Sequence, residues 1–142
     1  MQPFRFHSIY QPRIWGGQSM RTMLGRELPD RETAYGEAWE ISDRPEAMSI
    51  VKDGEWEGMP LHRLWEEHRQ EIFGPGYERF PRFPLLCKIL DARENLSVQV
   101  HPPERTAAAR QGEVKNEIWY VLHATPHALI HGGMEENATL PN

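Results

Sequence analysis

Three residues of this chain, Gln99, His101 and Glu117, have the types and spacing to hold a divalent metal ion. The segment Leu96-Ser97-Val98-Gln99-Val100-His101-Pro102-Pro103 alternates polar and apolar side chains with period two, as a strand with one face on a core does. Ser97, Gln99 and His101 then share one face, and Leu96, Val98 and Val100 take the other. Gln99 and His101, two apart on a strand, can reach one ion from the same side. Glu117, on a neighbouring strand, could close a third position. An imidazole, a carboxylate and an amide oxygen suit a hard-to-borderline divalent ion such as zinc. Three protein ligands fall short of a closed structural site, so water or substrate would complete the shell. Gln-x-His with a glutamate sixteen residues further on is a weakly specific pattern. A solvent-facing polar stripe explains the same alternation.

Two lysines could join this group. Lys88 interrupts the apolar run Phe83 to Leu90, where an ammonium is costly unless it finds a carboxylate, a phosphate or a water-filled cavity. A lysine snorkelling from a strand edge is the competing reading. Lys115 shares a face with Glu117 and Trp119. Other chemistries fare worse. Gly16-Gly17 and Gly132-Gly133 lack the spacing of a phosphate loop or dinucleotide fingerprint, and Ser97 has no nucleophile-elbow setting. His123, His127 and His131 recur every four residues, but Pro126 argues against a helix, so they read as surface or strand histidines.

The elements that must position these groups are mostly short strands. Phe4 to Tyr10 reads as a first strand, followed by a turn at Arg13-Ile14-Trp15-Gly16-Gly17 that presents a tryptophan beside two conformationally free glycines. A short helix is predicted within Gln18 to Leu24. Glu37 to Ser42 alternates, with Met48 to Val51 as its partner across a turn through Asp43 to Pro45. Leu61, Leu64, Trp65, His68 and Ile72 have helical spacing over 61–73, behind Pro60 and ahead of Gly74-Pro75-Gly76, and Trp65 reads as a packing residue. Phe83 to Leu90 reads as a strand buried on both faces. A short helix over Glu104 to Arg110, a turn at Gly112 to Lys115, a strand over Glu117 to Leu122 and a further one at Ala128 to Ile130 complete the chain, with a polar tail at 134–142. The pattern predicts a mainly β domain of sandwich or barrel type.

At 142 residues the chain fits a single domain. A net charge of -5 gives no reason to expect a nucleic-acid or membrane partner, so an anionic substrate would need a local cluster of lysine or arginine. Cys87 is the only cysteine, which rules out a disulfide within the chain. With no apolar signal core near the N-terminus and no long apolar run, a cytoplasmic setting is expected. The Asn137-Ala138-Thr139 sequon is then a chance match.

The sequence resembles the type I phosphomannose isomerase family, zinc-dependent mannose-6-phosphate isomerases of the cupin class. Five segments match in family order: Arg13-Ile14-Trp15-Gly16-Gly17; Gly36-Glu37-Ala38-Trp39-Glu40-Ile41-Ser42; Phe83-Pro84-Leu85-Leu86-Cys87-Lys88-Ile89-Leu90-Asp91-Ala92; Leu96 to Pro102; and Lys115-Asn116-Glu117-Ile118-Trp119-Tyr120. The resemblance extends to about residue 133, and five ordered blocks are highly specific as a set.

The resemblance implies a cupin-like jelly roll or β-sandwich with short flanking helices, here an incomplete barrel. It implies one zinc ion, with Gln99, His101 and Glu117 as three of four ligands, and Lys88, Ser97 and Lys115 as polar residues near the metal and the sugar phosphate. Trp15 matches a pocket-wall tryptophan. The implied reaction interconverts mannose 6-phosphate and fructose 6-phosphate through an enediol. Lys115 beside zinc could act as the base and Lys88 could anchor the phosphate as a point charge, with the assignment of these roles between the two lysines left open. The family's chain is at least about twice as long and places its fourth ligand, a histidine, and a phosphate-binding arginine downstream of residue 142. No segment here matches those residues. The chain is therefore expected to be a fragment, or a short relative that completes the site by other means, with unpaired strand edges that invite self-association. A non-catalytic cupin module binding a metal ion or a sugar phosphate is the alternative.

Overall fold

The computed structural model describes residues 3–110, 112 and 114–133. Two compact units, Met1–Val98 and Gln99–Asn142, divide the chain. The polar tail and the Asn137 sequon lie outside the described residues.

The first unit is built on a three-stranded antiparallel sheet in the order β1 (Ile9–Gly17), β2 (Tyr35–Ile41), β5 (Cys87–Leu90). Tyr10 faces Ala38 and Ala38 faces Ile89 across the ladder, and Met20, Tyr35 and Leu28 pack against them to form one core. Met20 comes from the short helix α1 (Ser19–Thr22), which the sequence anticipates. A two-residue hairpin, β3 (Asp43–Arg44) with β4 (Ala47–Met48), follows β2 and turns at Pro45–Glu46, so Asp43 and Arg44 are strand rather than turn. Met48 pairs with Asp43, while β2 pairs with β1 and β5 instead of with Met48 to Val51.

Helix α2 (Leu61–Phe73) has the bounds its periodicity predicts. Leu61, Leu64 and Trp65 are fully buried. Pro60 precedes the first turn, where its missing N–H is no loss, and Gly74 at φ 78° ends the helix in a conformation that favours glycine. The backbone leaves helical geometry at His68, whose ring packs edge-on against Trp56 at 4.3 Å.

The hairpin, helix and following loop are tied together by one buried carboxylate. Asp43 accepts the Phe83 N–H at 2.7 Å and lies 3.0 Å from His62 Nδ1, while Arg82 donates to the Asp43 carbonyl at 2.9 Å. Replacement of the buried Asp43 by alanine leaves the half-buried Phe83 N–H without its acceptor and opens a gap at the tie, so Asp43→Ala is expected to cost about 3 kcal/mol in urea unfolding. A cost below ~1 kcal/mol would show that the tie is dispensable.

Several sequence expectations are corrected. Arg13 to Gly17 is not a turn but the end of β1, and Gly16 and Gly17 serve close approach rather than conformational freedom. A methyl group on Gly16 would sit 2.6 Å from the Gly36 nitrogen, and one on Gly17 would sit 2.5 Å from an oxygen of the buried Asp91. Asp91 also accepts the Met20 N–H at 3.0 Å, fixing the start of α1. Pro12 has no N–H for the ladder, and the β1–β2 register shifts there. Phe4 to Tyr10 is not one strand: β1 begins at Ile9, and Phe6 makes an isolated bridge with Val51.

Phe83 to Leu90 is not buried on both faces. Only Cys87–Leu90 is strand, Pro84 stands in the coil before it, and β5 lies at the sheet edge with Cys87 exposed. Among the described residues, the expected strands at Leu96 to His101, Glu117 to Leu122 and Ala128 to Ile130 are irregular backbone. Val98 is 92% exposed and Ile118 100% exposed. Alternation marks a segment able to form a strand, but the ladder needs a partner strand and a core to cover one face. The second unit's helix α3 (Glu104–Ala107) runs into a single 3-10 turn, Ala108–Arg110, as the sequence anticipates. No helix among the described residues is long and apolar enough to cross a membrane.

Candidate functional site

Period two along β2 places Glu37 and Trp39 on the face opposite Ala38. Lys88 of β5 stands directly across from Trp39 in the ladder. Its Nζ lies 4.6 Å from the centre of the Trp39 ring and 3.6 Å from Glu37 Oε1. Glu37 Oε2 accepts the Trp39 indole N–H at 2.7 Å and an Arg13 guanidinium N–H at 2.9 Å. Arg13 and the Trp15 ring both press onto Gly36, where a methyl group would lie 2.6 Å from each, so only glycine admits them. Arg13, Glu37, Trp39 and Lys88 therefore form a contiguous set, and Trp15 meets Gly36, the residue before Glu37.

The half-buried lysine thus finds its carboxylate, and the charge balance decides what the set can do. Two cations share one carboxylate, which leaves a net positive charge. The Glu37 side chain is only 12% exposed and that of Lys88 25% exposed, so this charge is screened less than one on an open surface. Lys88 has three N–H donors, one turned to a carboxylate at long range, which leaves donors for an anion. A phosphate is the natural complement. Glu37, Trp39 and Arg13 were not singled out as site residues from sequence, although the alternation at Glu37 and Trp39 puts them on one face.

The remaining candidates are Ser97, exposed in the first unit, and Gln99, His101, Lys115 and Glu117, all exposed in the second. In the second unit Lys115 Nζ and Glu117 Oε1 are 3.0 Å apart. Among the described residues no three His, Cys, Asp or Glu side chains gather around one point. The expected donor set is a mixed one, amide oxygen, imidazole nitrogen and carboxylate, and this chemistry fits zinc. Gln99 and His101 make no side-chain hydrogen bond among the described residues, so their donor atoms are uncommitted. His123, His127 and His131 are exposed, in agreement with the surface reading.

Comparison with known proteins gives the class first. The chain shares its fold with the crystal structure of mannose 6-phosphate isomerase from Bacillus subtilis, at a TM-score of 0.69 and 37% identity over 78% of this chain and 34% of that one. It is a mainly β protein of cupin type, without a closed barrel among the described residues. The sequence model of the phosphomannose isomerase type I catalytic domain matches residues 3–128, and the chain belongs to this family. Mannose-6-phosphate isomerase of Streptococcus mutans is 44% identical over 94% of this chain, and mannose-6-phosphate isomerase ManA of Bacillus subtilis is 39% identical over 97%. The chain spans 41% and 42% of the length of these two relatives.

Proposed function

We propose that this chain carries the metal- and phosphate-binding part of a zinc-dependent mannose-6-phosphate isomerase, which interconverts mannose 6-phosphate and fructose 6-phosphate through an enediol. The observation that carries the reading is the family match over 3–128, which takes in every candidate residue, Trp15, Lys88, Ser97, Gln99, His101, Lys115 and Glu117. Gln99, His101 and Glu117 would hold the zinc ion. When bound, zinc supplies a cation that steadies the substrate oxygens as negative charge develops. Lys115 Nζ moves the proton between C1 and C2, and it lies beside Glu117, so the proposed base and a proposed ligand are neighbours. Lys88 anchors the phosphate, with Glu37 holding the ammonium in place and Trp39 and Trp15 walling the site.

The test is coupled formation of fructose 6-phosphate from mannose 6-phosphate by the purified chain with added zinc. Turnover is expected, and it falls to background in His101→Ala. A wild-type rate equal to that of His101→Ala overturns the reading for this chain. Calorimetric binding of mannose 6-phosphate without turnover would identify the non-catalytic module instead.

A further inference from the structure

The face of β2 opposite Lys88 carries a second polar network. Arg26 donates to Glu40 Oε1 at 2.8 Å and to Ser8 Oγ at 2.9 Å, and Ser8 itself bonds Glu40 at 3.1 Å. Arg26 also lies where two open clefts meet. One, of about 550 Å³, is lined by Arg21, Arg26, Glu27, Leu28, Asp30 and Arg31 among others. The second, of about 400 Å³, is lined by Phe6, His7, Ser8, Tyr10, Arg26, Glu27 and Lys52.

Arg21, Arg26 and Arg31 border the first cleft and His7, Arg26 and Lys52 the second, with Arg26 and Glu27 common to both, in a protein whose net charge is -5. The facing carboxylates are largely committed elsewhere. Asp30 accepts the Thr33 and Glu32 N–H groups and the Tyr35 hydroxyl, and Glu40 is taken up by Arg26 and Ser8. Glu27 is the remaining acidic group in the lining. Arg21 is spent on Gln18 and on the Asp30 carbonyl, which braces the wall. Arg31, Lys52 and His7 have no side-chain partner among the described residues, so their donors are available. Phe6, Leu28 and Pro29 add an apolar wall. Guanidinium forks and an ammonium around a concavity of a few hundred Å³ match a small molecule with a phosphate group.

We propose that the paired clefts meeting at Arg26 bind a phosphorylated small molecule, at a site on the opposite face of β2 from Lys88. The test follows backbone amide shifts of the full chain by NMR during titration with inorganic phosphate, then with a sugar phosphate. Shifts are expected at His7, Ser8, Arg31 and Lys52. Arg31→Glu and Lys52→Glu should each weaken the response at least tenfold, with Lys52→Arg restoring it, while Lys88→Met leaves it unchanged. Arg31 and Lys52 are exposed and without partners, so the charge reversals do not remove a structural tie. Shifts confined to the surroundings of Lys88, or a response that survives both reversals, overturn the proposal.

The same cleft wall carries a pH prediction. The Thr33 N–H above all, and then the Tyr35 hydroxyl, hold the Asp30 carboxyl below the usual aspartate range. The same contact with Asp30 raises the Tyr35 phenol. A depressed folded-state value means that the stabilisation is present above the ordinary aspartate range and is lost as pH falls through the folded value. Acid titration followed by Tyr35 ring resonances is expected to show the turn loosening at low pH, with the step absent in Asp30→Asn.

Discussion

Lys88→Met will weaken mannose 6-phosphate binding by about 10- to 100-fold and leave the binding of unphosphorylated mannose unchanged. The size follows from a charge-assisted hydrogen bond, worth roughly 1.5–3 kcal/mol, where each 1.4 kcal/mol is tenfold in affinity. The charge count at the site sets the direction of the effect. Glu37 neutralises one of its two cationic neighbours, and removal of Lys88 leaves Arg13 and Glu37 as a balanced pair with no surplus for an anion. Methionine keeps an unbranched apolar side chain at this position and removes the ammonium that stands over Trp39, so the bulk survives while the charge does not. Glu37→Gln provides the complementary case. It keeps an acceptor for the Trp39 indole but frees Lys88, and its effect on phosphate affinity should be smaller than that of Lys88→Met. Calorimetry with mannose 6-phosphate and mannose, in the presence of zinc, reads both. Equal losses for the two sugars would mean that Lys88 does not contact the phosphate.

Trp65→Ala will destabilise the chain by about 3–5 kcal/mol, a large part of the 5–15 kcal/mol that a domain of this size has in hand. Trp65 is 0% exposed and meets Phe73, Tyr77 and Phe83 edge-on, with ring centres 5.0, 5.9 and 5.6 Å away. Its indole N–H donates to the Phe80 carbonyl at 3.1 Å, and Arg69 lies 4.7 Å above its ring. Few neighbours can collapse into the space it leaves, since they are themselves aromatic and hold one another. Trp65→Phe retains the edge-on contacts and loses the bond to Phe80, so about 1–2 kcal/mol is expected. Urea unfolding monitored by circular dichroism measures both, and a loss under ~1 kcal/mol for the alanine variant would refute the packing role.

Where the physics is local, the sequence already displayed it. The period of α2, the proline ahead of it and the glycine behind it are properties of thirteen contiguous residues, and the helix formed between those limits. The alternation at Glu37 to Ser42 likewise marked β2, because both its ladder partners lie within the chain. Lys88 advertised its need for a carboxylate, but not that Glu37 would supply it from a strand some fifty residues earlier. Gly16 and Gly17 were misread for the same reason. Their lack of a side chain answers to Gly36 and Asp91, which local spacing cannot name.

The segments around Val98 and Ile118 show the converse. Their strand pattern is real, yet a strand exists only when another pairs with it. The relatives, more than twice as long, have chain to spare for that pairing. The metal ligands expected at Gln99, His101 and Glu117 sit in these two segments. Their donor types were legible, and their proposed convergence on one ion was not.

That convergence is the central claim, and metal analysis of the purified full chain after zinc loading and exhaustive dialysis tests it most directly. One equivalent of retained zinc is expected in the wild-type chain, with its loss in each of Gln99→Ala, His101→Ala and Glu117→Ala and with Lys88→Met still loaded. A wild-type chain that retains no zinc, or zinc that survives all three substitutions, would contradict it.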